Sequence, residues 1–292
     1  MILINKEYNV IEPYKYYAEP GEMIVIEDNR TLHLDSDSTT LFETNFGIGP
    51  HDSFEDAFKR LVGCINLTTP NATASLLAKT PKAPIIIGGC GRSGTTLLQS
   101  ILGAHPRIQC FAEELYCFYP DFRLNRLVKK IENTNRWVEK TPKNVRRFEQ
   151  IHELFQGNVK LIHLVRDGRS VVTSKHPNGS GYWVPIERWI DDTSTGWNCK
   201  HALQIKYENL VQQPEETLRY ICKYIQEPFD EKLLEYEKHT PLQNNIAWFA
   251  GARKIHTGSL GRWKEPEHSE RIAEFTSNEE AMSLLRKVGY KL

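Results

Sequence analysis

Between residues 83 and 225 the chain alternates two kinds of hydrophobic pattern. Short, unbroken apolar runs, "APIIIGG" at 83–89 and "VKLIHLV" at 159–165, have the length and branched side chains of strands buried on both faces. A stretch with helical spacing follows each: "TTLLQSILGAHP", stopped by glycine and proline, and "DGRSVVTSKH". "FEQIHELF" reads as an amphipathic helix, "ALQIKYENLV" as a further strand, "PEETLRYICKYI" as a helix begun by proline, and "EEAMSLLRKVGY" as a closing helix. Strands alternating with helices predict an α/β fold, a P-loop-type three-layer sandwich with a mainly parallel central sheet.

Residues 1–80 carry a different pattern, with strand-like pieces "EMIVIED" and "TLHLD" and one helical repeat, "SFEDAFKRLVGCI". The run "NLTTPNATASLLAKTPKAP", rich in proline, threonine and asparagine, reads as a connector. The expected division is an N-terminal extension of unassigned role at 1–80 and a main domain at 81–292.

Charge removes some functions. Lysine plus arginine balance aspartate plus glutamate at 37 each, so the chain lacks the bulk basicity of a nucleic-acid binder and must build any anion site locally. No run of roughly 18 apolar residues and no export signal is visible, which predicts a protein without membrane attachment, placed in the cytoplasm. The cysteines Cys64, Cys90, Cys110, Cys117, Cys199 and Cys222 form no CxxC pair, which predicts reduced thiols and no structural zinc.

The candidate chemistry starts at "GGCGRSGTTLLQS", residues 88–100, a glycine loop between a predicted strand and helix. Such a turn aims backbone N–H groups and a helix dipole at an anion. A nucleotide-binding GxxxxGK[ST] loop would need lysine where Thr95 stands. Arg92 and the hydroxyls of Ser93, Thr95 and Thr96 instead suit a 5′-phosphate or a group attached to it. A second constellation, "HLVRDGRSVVTS", puts Arg166 at a strand end with Ser174 eight positions on, about two turns along a following helix. Alone, Arg166 also suits a salt bridge with Asp167.

Together "GCGRSGTTLL" and "VRDGRSVVTS", followed by "KYENLVQQPEETL" and "GSLGRWK", resemble the sulfotransferases that use 3′-phosphoadenosine 5′-phosphosulfate (PAPS), over about residues 84–292. Within them, "RSGTTLL", "HP" and a paired glutamate are most similar to the tyrosylprotein sulfotransferases and their bacterial relatives. The resemblance implies that Arg92, Ser93, Gly94, Thr95 and Thr96 wrap the 5′-phosphosulfate and that Arg166 and Ser174 hold the 3′-phosphate. Tyr207 would lie by the nucleotide or in the core. Ser259, Gly261 and Arg262 would belong to a loop closing on the co-substrate, and Asn178 stands where the tyrosylprotein enzymes carry a further arginine.

Catalysis, by the same resemblance, falls to Lys140 as the transition-state cation and Glu113 as the base, with Glu114 and His105 as alternatives. Histidine before proline at a helix end is more often a cap, and His163, in an apolar strand, belongs to the core. Trp183, Trp189 and Trp197 line an acceptor pocket or cover the core. The implied activity is in-line transfer of a sulfuryl group from PAPS to a hydroxyl or amine of a small-molecule or peptide acceptor, with no metal. A divergent P-loop kinase or a silent nucleotide-binding module are the alternatives, and the oligomeric state is left open.

Overall fold

The computed structural model describes the strand segments 3–4, 14–18, 23–26, 30–33 and 40–44, and residues 70–292 apart from 120–121, 123, 133–135, 177–178, 180, 244–250 and 292. By its internal contacts the chain divides into two units, Met1–Lys79 with Tyr116–Ile131, and Thr80–Leu115 with Glu132–Leu292. Tyr116–Ile131, which the sequence reading placed in the main domain, thus groups with the first unit.

In that unit β1 (Leu3–Ile4), β3 (Met23–Ile26) and β4 (Arg30–His33) form one sheet, and β2 (Tyr14–Ala18) pairs with β5 (Thr40–Thr44) in another. "EMIVIED" and "TLHLD" become the antiparallel pair β3–β4, with Met23 opposite His33. The helix expected at 53–65 lies outside the described residues. Where a connector was expected, Pro70–Ala78 is a helix, α1. Proline at a first helical position costs nothing, because that N–H has no partner in the helix, and the alanine and leucine that follow are strong helix formers. The Lys79 ammonium donates to the Val128 carbonyl at 3.0 Å, tying the end of α1 to the helix Leu124–Lys130 (α3).

The second unit is built on five strands, β6 (Ile85–Gly88), β7 (Gln109–Cys110), β8 (Trp137–Lys140), β9 (Lys160–Val165) and β10 (Ala202–Lys206), in the order β10-β9-β6-β8-β7 with every pair parallel. The apolar runs become neighbours, with Ile87 opposite Ile162 and Gly88 opposite His163. Alternation along the strands then makes two cores. Ile85, Ile87, Val138, Ile162 and Leu164 pack with Leu98, Ile101 and Leu102 of α2 (Thr95–Gly103) and with Leu218 and Ile221 of the helix Pro214–Ile225. On the other face Val165 packs with Trp189 of the helix Ile186–Asn198, Phe275 and Leu285. Helices on both faces of a parallel sheet give the three-layer α/β architecture, and no helix among the described residues is long and apolar enough to cross a membrane.

Two elements differ from the sequence reading. "ALQIKYENLV" is a strand only to Lys206; Tyr207 opens a helix, Tyr207–Gln212. The helix after β9 ends at Val172, so Ser174 lies just past its end rather than two turns along it. The segment "GYWVPIERWIDDTSTGWN" contains the helix Ile186–Asn198, whose Trp189 is fully buried against Phe275. The free cysteines among the described residues are Cys90, Cys110, Cys117, Cys199 and Cys222.

Candidate active site

The site follows from strand order. Because β6 and β9 are neighbours, the loop that leaves β6 and the residues that leave β9 emerge side by side, at the carboxyl ends where the chain switches direction across the sheet. The loop turns on glycine: Gly89 at φ 152° and Gly94 at φ 92° stand where a Cβ would meet the Leu164 carbonyl oxygen and the Tyr207 ring, each at 2.4 Å. Arg92, not a glycine, also sits at φ 70°, a local cost that the surrounding structure imposes. Gly94 precedes α2 with no side-chain cap, so the first N–H groups of that helix face the loop.

Arg166, one residue past β9, lies against this loop. Its guanidinium donates to the Arg92 carbonyl at 3.0 Å and to the Ser259 carbonyl at 3.0 Å, and it stacks over the Tyr207 ring at 4.3 Å. The Tyr207 hydroxyl meets the Ser259 hydroxyl at 2.6 Å. Tyr207 therefore packs on Gly94 of the glycine loop, on Arg166 and on Ser259 of the C-terminal loop, and joins the three. Burial and the Arg166 charge hold the Arg92 guanidinium below the usual arginine range.

The Ser93 hydroxyl and the Arg166 Nε are buried and bond to nothing among the described residues. Buried polar groups without partners are costly, and hydroxyl and guanidinium donors beside a glycine loop are of the kind that bind a phosphate or sulfate group.

Lys140 ends β8 wholly buried, with its ammonium on the Thr96 hydroxyl at 3.2 Å and on the Glu114 carboxylate. Glu113 beside it is exposed. Of the glutamate pair, the one the structure brings to the lysine is Glu114. Both ring nitrogens of His105 are engaged in a turn: its Nδ1 accepts from the Arg107 N–H at 3.1 Å, so Nε2 carries the proton given to the Pro228 carbonyl at 3.0 Å. His163 is core as expected; Gln204 bonds Nδ1 at 2.6 Å, and burial pushes its pKa down to about 4.

The remaining candidates divide. Ser174 donates to the Ser170 carbonyl at 3.1 Å and accepts from the Trp183 N–H at 2.9 Å, which sets it beside the ring that stands 5.1 Å from the Arg92 guanidinium. Arg262 is not brought to the groove; it is exposed and pairs with Glu265 at 3.5 Å. Asn178 lies outside the described residues. The sequence reading missed Arg188, whose guanidinium stands 3.1 Å from where a Gly91 Cβ would be and which bonds Asp192 at 3.3 Å. The Arg188–Asp192 spacing of four was the available signal, hidden because that segment was read as pocket rather than helix.

The model of the "Sulfotransferase family" matches residues 84–127 and 119–231, half of the chain. Protein-tyrosine sulfotransferase A of Caenorhabditis elegans is 24% identical over 70% of this chain and 67% of its own length. The protein-tyrosine sulfotransferase of Drosophila melanogaster is 25% identical over 56% of this chain and only 42% of its own length, so most of the fly protein lies outside the match. The solved sulfotransferase domain of the Synechococcus PCC 7002 olefin synthase superposes with a TM-score of 0.52 at 18% identity, covering 73% of this chain and 96% of that domain. A sulfotransferase domain from the curacin biosynthetic pathway does so with a TM-score of 0.51, also at 18% identity, over 73% of this chain and 99% of that domain, and the two share its fold. With the family model spanning half its length, the chain belongs to the sulfotransferase family of enzymes.

Proposed function

We propose that the chain transfers a sulfuryl group from PAPS to a hydroxyl or amine. One observation carries this reading: the Arg166 guanidinium is bonded to the carbonyl of Arg92, so two cationic cups share one groove. A donor with phosphates at both ends of an adenosine needs two such cups, and a triphosphate with magnesium does not. The loop from Arg92 to Thr96 would hold the 5′-phosphosulfate; Arg166, with Ser174 and Tyr207, would hold the 3′-phosphate, and Ser259 would close over it.

Sulfuryl transfer, like phosphoryl transfer, asks for in-line positioning and neutral charge on the departing phosphate oxygen more than for covalent help. Lys140, fixed on Thr96, stands where it would supply that charge. The acceptor must lose its proton as the sulfur arrives, which asks for a base near the lysine. The geometry favours Glu114 over Glu113 for that part, because Glu114 is the acid on Lys140. The acceptor is a small molecule or a peptide, and the names of the tyrosine sulfotransferase relatives add the phenol of tyrosine to that range.

Adenosine 3′,5′-bisphosphate (PAP), the expected co-product, tests the donor. At a hundred times its dissociation constant it should stabilise the protein by about 2.7 kcal/mol in thermal unfolding. A shift with magnesium ATP and none with PAP would replace this reading with a kinase.

A further inference from the structure

Glu139, next to Lys140 on β8, is a carboxyl that the reaction does not use. It points away from the lysine, to the opposite face of the sheet, and is fully buried. Its oxygens accept from the Thr141 hydroxyl at 2.8 Å and from the Asn144 amide at 2.5 Å. Those partners belong to the turn that follows β8, and the loop that would hold the phosphosulfate leans on the same turn. The Gly89 N–H donates to the Pro142 carbonyl at 2.9 Å, and Gly88 packs so close that a Cβ there would stand 2.6 Å from the Val145 nitrogen.

Two acids, Glu114 and Glu139, act on one cation, and Lys140 bonds only Glu114. The bonds of Glu139 among the described residues go to the neutral Thr141 and Asn144, and Arg146 of the same turn is bound to Asp192 at 2.5 Å. An anion placed beside Lys140 offsets the cation that favours the charged form of Glu139, and protonating this buried carboxyl relieves the added negative charge.

We propose that Glu139 is a positioning residue of the donor site, a buried carboxyl that ties the turn supporting Gly88, Gly89 and Lys140 and takes up a proton when the anionic donor binds. Burial pushes its pKa up to about 7, where such an uptake is visible. Asn144 suits both protonation states. Its Nδ2 now donates to the carboxylate, while its Oδ1 is buried without a partner, so a turn of the amide lets it accept from a protonated acid.

The inference rests on the PAPS reading, and Glu139→Gln separates the two. Glutamine keeps the Thr141 bond and finds an acceptor in the rotated Asn144, so the fold survives without the titrating group. Calorimetry of PAP binding at pH 7, in two buffers of different ionisation enthalpy, counts protons. The parent should take up about half a proton more than Glu139→Gln, and its affinity should weaken several-fold more between pH 6 and 8. Equal proton counts and equal pH slopes overturn the inference and leave the donor reading standing. A parent that binds no PAP removes the donor reading itself. If the variant does not fold, the carboxyl carbon resonance of Glu139 in the parent reads the same proton: its midpoint should rise when PAP is added, and a fixed midpoint overturns the inference.

Discussion

Two buried arginines sit at opposite ends of the same parallel sheet. Arg136 enters β8 and meets a carboxylate, Glu227, at 3.0 Å, with the Ile225 carbonyl as a second acceptor. Arg166 leaves β9 and meets neutral carbonyls, those of Arg92 and Ser259, rather than a carboxylate. A guanidinium carries one full charge wherever it sits. Paired with an acid it closes the end of a strand; held by dipoles alone it keeps charge in reserve. On the proposed reading, burial alone does not mark a donor-binding arginine, and the partner does.

The largest effect should come from breaking the closed end. Arg136→Met leaves Glu227 buried with Lys82 at 3.0 Å and the more distant Arg107, and should cost about 3 kcal/mol in chemical unfolding while the folded fraction binds PAP normally. The open end should respond in the reverse sense. Arg166→Ala removes two charge-assisted bonds, roughly 2–3 kcal/mol, and should raise the PAP dissociation constant about 30- to 100-fold by calorimetry, with unfolding stability changed by less than about 1 kcal/mol. If Arg166→Ala proves as destabilising as Arg136→Met and binds PAP unchanged, the contrast collapses.

The glutamate pair sharpens the same point, since partner and not sequence position decides. Glu114→Gln should lower kcat about a hundredfold for any acceptor the enzyme sulfates, and Glu113→Gln by less than about threefold. Tyr207→Phe, which deletes only the hydroxyl bond to Ser259, should weaken PAP by about 1 kcal/mol, near fivefold. The smallest and most gradual effect is on stability against pH. Glu139 has a folded pKa raised from 4.5 to about 7, so the native state holds its proton longer than the unfolded chain does. Stability should therefore fall as pH rises through that window, by at most about 1.4 kcal/mol per pH unit, and level off above it. Thermal unfolding of Glu139→Gln should show that slope removed.

Much of the second unit was legible. Strands β6 and β9 stand where unbroken apolar runs ended in turn-forming residues, because burial on both faces leaves no polar alternation to misread. Elements whose ends depend on neighbours were harder. Tyr207 looked like a strand residue because its aromatic ring suits a strand, yet the chain turns into a helix there and the ring packs on Gly94. The helix after β9 stops at Val172, although the pattern ran on to His176.

The amino-acid order by itself determined the alternating α/β build, the glycine loop without its lysine, and an arginine leaving each of the two strands that turn out to be neighbours. Those follow from local backbone sterics and from apolar runs that must be buried whatever the rest of the chain does. Only the tertiary structure decided that Glu114 and not Glu113 meets Lys140, that Arg262 is exposed and that Glu139 is buried on the neutral Thr141 and Asn144. Which charge faces which depends on strand order and on the close approach of distant turns, and no spacing along a single chain encodes that distance.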